Sequence, residues 1–154
     1  MKAILQRVQR ASVEVQNQVV GHIDRGLVVL LGVARGDTPH HANSLSGKIA
    51  DMRVFSDEAG KMKQSILDIN GSALVISQFT LLANTTRGRR PSFEEAAPPD
   101  DAQTLYAVFI ERLRARGIHV ESGSFGSHMI VSLENEGPVT LILDTQKNER
   151  VNRY

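Results

Sequence analysis

Leu27-Val28-Val29-Leu30-Leu31-Gly32-Val33 is a continuous apolar run that starts after the break at Gly26. It is short for a helix and rich in branched aliphatic side chains, so it reads as a strand covered on both faces and central in a sheet. Toward the N-terminus, Val13-Glu14-Val15 alternates and Asn17-Gln18 interrupts. Val19-Val20-Gly21-His22-Ile23 then resumes an extended pattern, which predicts a hairpin. Toward the C-terminus, Asp37-Thr38-Pro39 supplies a cap and a first-turn proline. Ala42, Leu45, Ile49 and Met52 follow at spacings of three and four, giving a helix over 39–52.

Arg53-Val54-Phe55 reads as a short strand ending at Asp57-Glu58-Ala59-Gly60, and 72–79 as a further strand after Asn70-Gly71. Residues 84–99 lack a period and carry Gly88, Pro91, Pro98 and Pro99, so they form a long exposed loop. Leu105, Val108, Phe109, Arg112, Leu113 and Arg116 form an amphipathic helix stopped by Gly117, with Arg112 and Arg116 on one flank. Strands over 118–121, 129–133 and 139–144 complete the count. The expectation is an α+β domain over 1–144, with a polar, loose tail over 145–154. Its core is largely antiparallel sheet, barrel-like or layered, flanked by two or three helices. A strand edge left uncovered would suit a dimer interface.

Composition narrows the chemistry. The 154 residues contain no cysteine, which excludes disulfides, thiolate catalysis and cysteine-based zinc sites. A formal net charge of +1 excludes bulk electrostatic coating of nucleic acid, so contact with a polyanion must be local. Arginines do cluster, at Arg87, Arg89 and Arg90 and at Arg112, Arg114 and Arg116. No apolar run spans a bilayer, and charge interrupts the N-terminus too early for a signal peptide, so a cytoplasmic location is expected. No serine-hydrolase elbow, phosphate-binding loop or dinucleotide fingerprint is present, and the Gly32-to-Gly36 stretch is only a turn. His22, His40, His41, His119 and His128 fall in no metal-binding spacing and read as structural or solvent-facing; no metal and no cofactor is expected.

Two segments remain: Ser77-Gln78-Phe79-Thr80-Leu81 at a strand end, and Asn135-Glu136-Gly137-Pro138-Val139-Thr140, which on composition alone is a hairpin turn. Together with Gln6-Arg7-Val8, Ala11-Ser12-Val13, Gly32-Val33, Gly60-Lys61-Met62 and Gly88-Arg89-Arg90-Pro91-Ser92-Phe93, they resemble the D-aminoacyl-tRNA deacylase family over 1–144. Glu136 stands where that pattern leads one to expect aspartate.

The resemblance implies an enzyme that hydrolyses the ester of a D-aminoacyl-tRNA and rejects the L-form. It implies a homodimer in which a cis Gly137-Pro138 peptide enters the partner's active site and filters chirality with backbone atoms. Ser77, Gln78, Phe79 and Thr80 would be catalytic. Arg7 would hold the Gly-Pro motif, and Phe125 and Met129 would line the pocket. Glycine mischarged on tRNA(Ala), lacking a side chain, would pass the filter. Thr80 as nucleophile needs an adjacent base that the chain does not reveal. The alternative is assistance from the 2′-hydroxyl of the terminal adenosine, with the N–H groups of Phe79 and Thr80 stabilising the oxyanion and Gln78 orienting the adenosine or water. Arg87, Arg89 and Arg90 are candidates for phosphates of the acceptor end. Three other readings stay open: a non-catalytic nucleic-acid-binding protein on the same fold, an editing factor whose main substrate is glycine mischarged on tRNA, and a metal-dependent hydrolase, which the missing ligand spacing disfavours.

Overall fold

The computed structural model describes residues 1–86 and 88–146; Arg87 and residues 147–154 of the expected tail lie outside the described residues. In chain order the elements are β1 (Lys2–Val15), β2 (Gln18–Ile23), β3 (Gly26–Gly32), α1 (Pro39–Asp51), β4 (Phe55–Ser56) and β5 (Met62–Gln64). There follow β6 (Ser72–Ser77), a 3-10 turn (Phe79–Leu82), α2 (Pro99–Ala115), β7 (His119–Ser122) and β8 (Ile130–Asp144).

β1 organises the sheet. Along one edge it pairs antiparallel with β8, from Lys2 opposite Asp144 to Glu14 opposite Ile130. Along the other edge its first half pairs with β3 and its second half with β2. The turn between β1 and β2 places Gln16 and Asn17 in the left-handed region (φ 51 and 62), the primed turn whose twist matches a hairpin. The apolar run at β3 is central as read: β1 lies on one side and β6 on the other. Near Gly21 of β2 the sheet almost closes on itself, since a Cβ there would stand 2.9 Å from the Ser122 carbonyl of β7. The expected α+β, barrel-like core with two flanking helices is the architecture found.

Two pairings depart from the antiparallel expectation: β3 with β6 and β6 with β7 are parallel. Each parallel step is bridged by a helical crossover, α1 in the first and α2 in the second. Of the segment read as a strand at 53–55 only Phe55 lies in one, β4, which pairs with β5 in a separate two-stranded ribbon, so the chain from β3 to β6 is long enough to cross over. Both helices cover one sheet face. There Leu5, Val29, Leu31 and Val75 meet Leu45, Ile49, Phe109 and Leu113, and each side chain of this size buried stabilises the fold by roughly 1.5–3 kcal/mol. The curled opposite face encloses a second cluster containing Val8, Val13, Val28, Leu74 and Ile76.

α2 begins at Pro99, six residues before its first apolar position, because proline is well tolerated where a helix's first N–H groups have no partner. Thr145, expected to start a loose tail, is buried. Its hydroxyl and the Asp37 carboxylate accept hydrogen bonds from the Met1 ammonium, at 2.6 and 2.7 Å.

Candidate active site

The two segments singled out in the sequence lie in different places. Ser77 ends β6, and the chain turns at Gln78, whose N–H donates to Leu31 O at 2.8 Å, into the 3-10 turn Phe79–Leu82. The turn fits because Gly32, on the neighbouring strand, has no side chain; a Cβ there would collide with Leu82. The strand expected over 72–79 therefore stops at Ser77. The N–H groups of Phe79 and Thr80 open the turn, where a helical ladder leaves its first amides without internal partners.

Ser77, Gln78 and Phe79 line a cavity of about 790 Å³, together with Phe125 and Met129. Met129 packs closely over Gly123, where a Cβ would lie 2.5 Å from its sulfur. Thr80 is exposed and is not part of the cavity wall; its hydroxyl accepts a hydrogen bond from Gln78 Nε2. No histidine or carboxylate hydrogen-bonds Thr80 among the described residues, so no base is in place to activate it.

Several wall residues were not picked out in the sequence. Phe93 packs edge-on against Phe79 with ring centroids 4.9 Å apart. Tyr106 of α2 faces Phe125 at 5.7 Å and donates its hydroxyl hydrogen to Val75 O at 2.8 Å. Burial pushes the Tyr106 phenol up to about 12, partly offset by the Ser122 hydroxyl. Its signal in the sequence was an aromatic beside the Leu105–Phe109 stripe, with a hydroxyl that a buried ring must satisfy. Arg35 and the exposed His128 complete the rim.

The long loop is organised above this cavity. Ala97 N donates to Val33 O, and Arg35 donates to the Glu94 carbonyl at 2.7 Å, so residues 94–97 are tied to the end of β3. Asn84 and Ser92 exchange backbone hydrogen bonds at 2.8 and 3.0 Å, closing an arm that carries the exposed Arg89 and Arg90. Arg112 and Arg116 are elsewhere, on the outer face of α2, where Arg116 pairs with Asp51.

The Asn135-to-Thr140 segment is not a hairpin turn. It is an outward excursion within β8: Gln6 pairs with Thr140 and Val8 with Asn135, so the strand bulges opposite Arg7. The Gly137-Pro138 peptide is cis, and both residues are exposed. Arg7 is buried beneath them, with Nη1 donating to Val54 O at 2.6 Å and Nε to Glu136 O at 3.3 Å. Arg7, Gly137 and Pro138 do not line the cavity of their own chain.

The histidines are dispersed. His41 Nδ1 accepts from Thr38 N at the start of α1, and His119 pairs with Glu121. Among the described residues no group of three or more histidines and carboxylates is placed to hold a metal ion, and no helix is long and apolar enough to cross a membrane.

The sequence profile of the D-Tyr-tRNA(Tyr) deacylase family matches residues 4–144. A Deinococcus deserti protein named D-aminoacyl-tRNA deacylase is 56% identical over 144 residues, covering 94% of this chain and 99% of that protein. A Thermosipho africanus protein of the same name is 51% identical over 147 residues, covering 96% and 99%. Among solved structures, the c-Myc DNA unwinding element binding protein superposes with a TM-score of 0.89 at 40% identity, over 94% of this chain and 99% of that one. A probable eukaryotic D-amino acid tRNA deacylase shares the fold, with a TM-score of 0.80 at 20% identity over 93% and 98%. By the profile match and by these identities over nearly its whole length, this chain belongs to the D-aminoacyl-tRNA deacylase family.

Proposed function

We propose that this protein hydrolyses the ester bond between a D-amino acid and its tRNA, releasing both, and that it works as a cytoplasmic homodimer needing no metal or cofactor. One observation carries the reading: Ser77, Gln78 and Phe79, at the end of a buried strand and the start of a 3-10 turn, line a largely apolar cavity, and no histidine or carboxylate hydrogen-bonds Thr80 among the described residues. Such a site provides position and dipoles. Water adds to the ester carbonyl, and the N–H groups of Phe79 and Thr80 hold the oxyanion, each donor contributing about 3 kcal/mol to lowering the barrier. The carbonyl–oxygen bond to the 3′-oxygen then breaks, and that oxygen leaves with a proton. The 2′-hydroxyl of the terminal adenosine assists the proton transfers, while Gln78 orients the adenosine or the water. Thr80 supports Gln78.

Chirality is read by the Gly137-Pro138 carbonyls of the partner subunit. Exposed on their own chain and outside the wall of its cavity, they enter the neighbour's site, meet the amino group and Cα of a D-aminoacyl ester, and clash with the L-form. Glycine on tRNA(Ala) passes the same filter. Support for the dimer comes from β8, which pairs only with β1 among the described strands and exposes Ile130 and the 77% accessible Ile142. Ile142, Ile4, Leu30 and Ile76 form an apolar row across the sheet, and Ile76 is part of the cavity wall. Asn135 Oδ1 is buried without a hydrogen-bond partner among the described residues, as expected of a segment completed by a second chain.

The test is hydrolysis of matched D-tyrosyl-tRNA and L-tyrosyl-tRNA, each against its spontaneous rate. Rapid loss of the D-ester alone is expected. Equal inertness of both would favour the non-catalytic nucleic-acid-binding reading, a role like that in the name of the 40% identical structural neighbour.

A further inference from the structure

Arg7 carries its charge into a nearly closed environment, with 8% of its surface exposed. Its Nη2 packs directly behind the Gly-Pro turn, 2.9 Å from where a Gly137 Cβ would stand. The carbonyls of Val54 and Glu136 accept from two of its five N–H groups without cancelling its charge. The Glu136 carboxylate does that: Oε2 lies 3.4 Å from Arg7 Nε. The same oxygen is buried and makes no hydrogen bond among the described residues, so its contribution there is charge and not a directional contact.

We infer that Glu136 is a positioning residue that neutralises Arg7 behind Gly137, so that the turn can receive the cationic amino group of the aminoacyl ester. The inference rests on the deacylase reading and adds to it a role for the Glu136 side chain. Without the carboxylate, an uncompensated guanidinium would stand just behind the carbonyls that meet an ammonium group. Two like charges a few ångströms apart in a partly desolvated site repel enough to weaken binding by about tenfold or more. The repulsion acts on the substrate's amino group alone, which separates it from loss of mechanical support for the turn.

The experiment uses two non-hydrolysable ligands. One is D-tyrosine in amide linkage to 3′-amino-3′-deoxyadenosine; the other is identical but lacks the tyrosine amino group. Binding is measured by calorimetry to the wild-type protein, Glu136→Gln and Glu136→Asp. Glu136→Gln should raise Kd for the amino-bearing ligand about tenfold and leave the deaminated ligand within about twofold, and Glu136→Asp should restore wild-type discrimination. Equal weakening of both ligands, no weakening of either, or loss of the native melting transition in Glu136→Gln would overturn the inference while leaving the deacylase reading intact. A wild-type protein that binds neither ligand would remove the deacylase reading, and the inference with it.

Discussion

Tyr106 of α2 and Val75 of β6 are joined by a 2.8 Å hydrogen bond from the phenol to the backbone carbonyl, two residues before Ser77. The bond sets the depth at which the helix rides on the strand that leads into the turn at Phe79–Leu82. Val75 O also accepts from Gly123 N at 3.2 Å, so removing the phenol leaves that carbonyl one partner. Tyr106→Phe should therefore cost only about 1 kcal/mol in chemical denaturation. The pH dependence is more specific. The folded phenol titrates near 12, above its ordinary value of 10.0. Its stabilising contribution is thus fully present below pH 10 and is lost as pH rises toward 12. Tyr106→Phe should flatten that part of the stability profile, and an unchanged alkaline limb would contradict the assignment.

Thr80 is exposed and bonded to Gln78 rather than to a base. In single-turnover assays Thr80→Ala should lose less than about tenfold in rate, whereas tRNA ending in 2′-deoxyadenosine should lose about 10² or more, the usual scale of a proton-transfer catalyst. The reverse pattern would restore Thr80 as nucleophile.

Gly137 has φ +116, and a Cβ there would lie 2.9 Å from Arg7 Nη2 and 3.0 Å from Val139 Cγ2. Gly137→Ala should shift the turn against Arg7 and cost about 1–3 kcal/mol of stability. If the turn enters the partner's site, deacylation of the D-ester should fall far more than the melting temperature indicates. Calorimetry alongside the D-tyrosyl-tRNA assay checks this, and full activity in Gly137→Ala would exclude a role for the turn in the reaction.

Asp37 is 1% exposed at its side chain and accepts from the Met1 ammonium at 2.7 Å and from Ala34 N at 2.7 Å. Breaking a buried ion pair by removing one partner costs about 3–5 kcal/mol, so Asp37→Ala should lower stability by roughly that amount in urea titrations. At low temperature, where the protein stays folded, its activity should be close to that of the wild type.

The arm closed by Asn84 and Ser92 presents Arg89 and Arg90. If these meet acceptor-end phosphates, Arg89→Ala with Arg90→Ala should raise KM and reduce the salt dependence of binding by about 0.7 per lost contact in a log–log plot. Hydrolysis of D-tyrosyl-adenosine, which lacks those phosphates, should be unaffected.

What the sequence revealed follows from how local each signal was. The run at 27–33 needed no distant information, because apolar residues on both faces mean burial wherever the strand lies. The α1 cap and the stop at Gly117 were equally local. The parallel pairings were not, since they depend on where β4 and β5 go, and a short strand does not declare which sheet it joins. Gln78 and Phe79 read as the end of a strand, and the absence of a side chain on Gly32 makes room for a turn there instead. Asn135 to Pro138 has the composition of a hairpin turn, yet β1 keeps pairing on both sides of it, a constraint set more than a hundred residues away. For the site, the segment motifs were legible. The ring contacts of Phe93 and Tyr106 were not, because helical and loop patterns give no direction toward a cavity formed by other elements.

β1 and β8 are antiparallel neighbours from Lys2 opposite Asp144 to Glu14 opposite Ile130. During synthesis β1 therefore emerges more than a hundred residues before β8 and meanwhile has one edge unmatched. Closing that edge joins the most distant parts of the sequence, the slowest kind of contact to form. Nascent chains should therefore stay vulnerable to aggregation and proteolysis until residues 130–144 emerge, and loss of β8 should be far more damaging than loss of a peripheral strand.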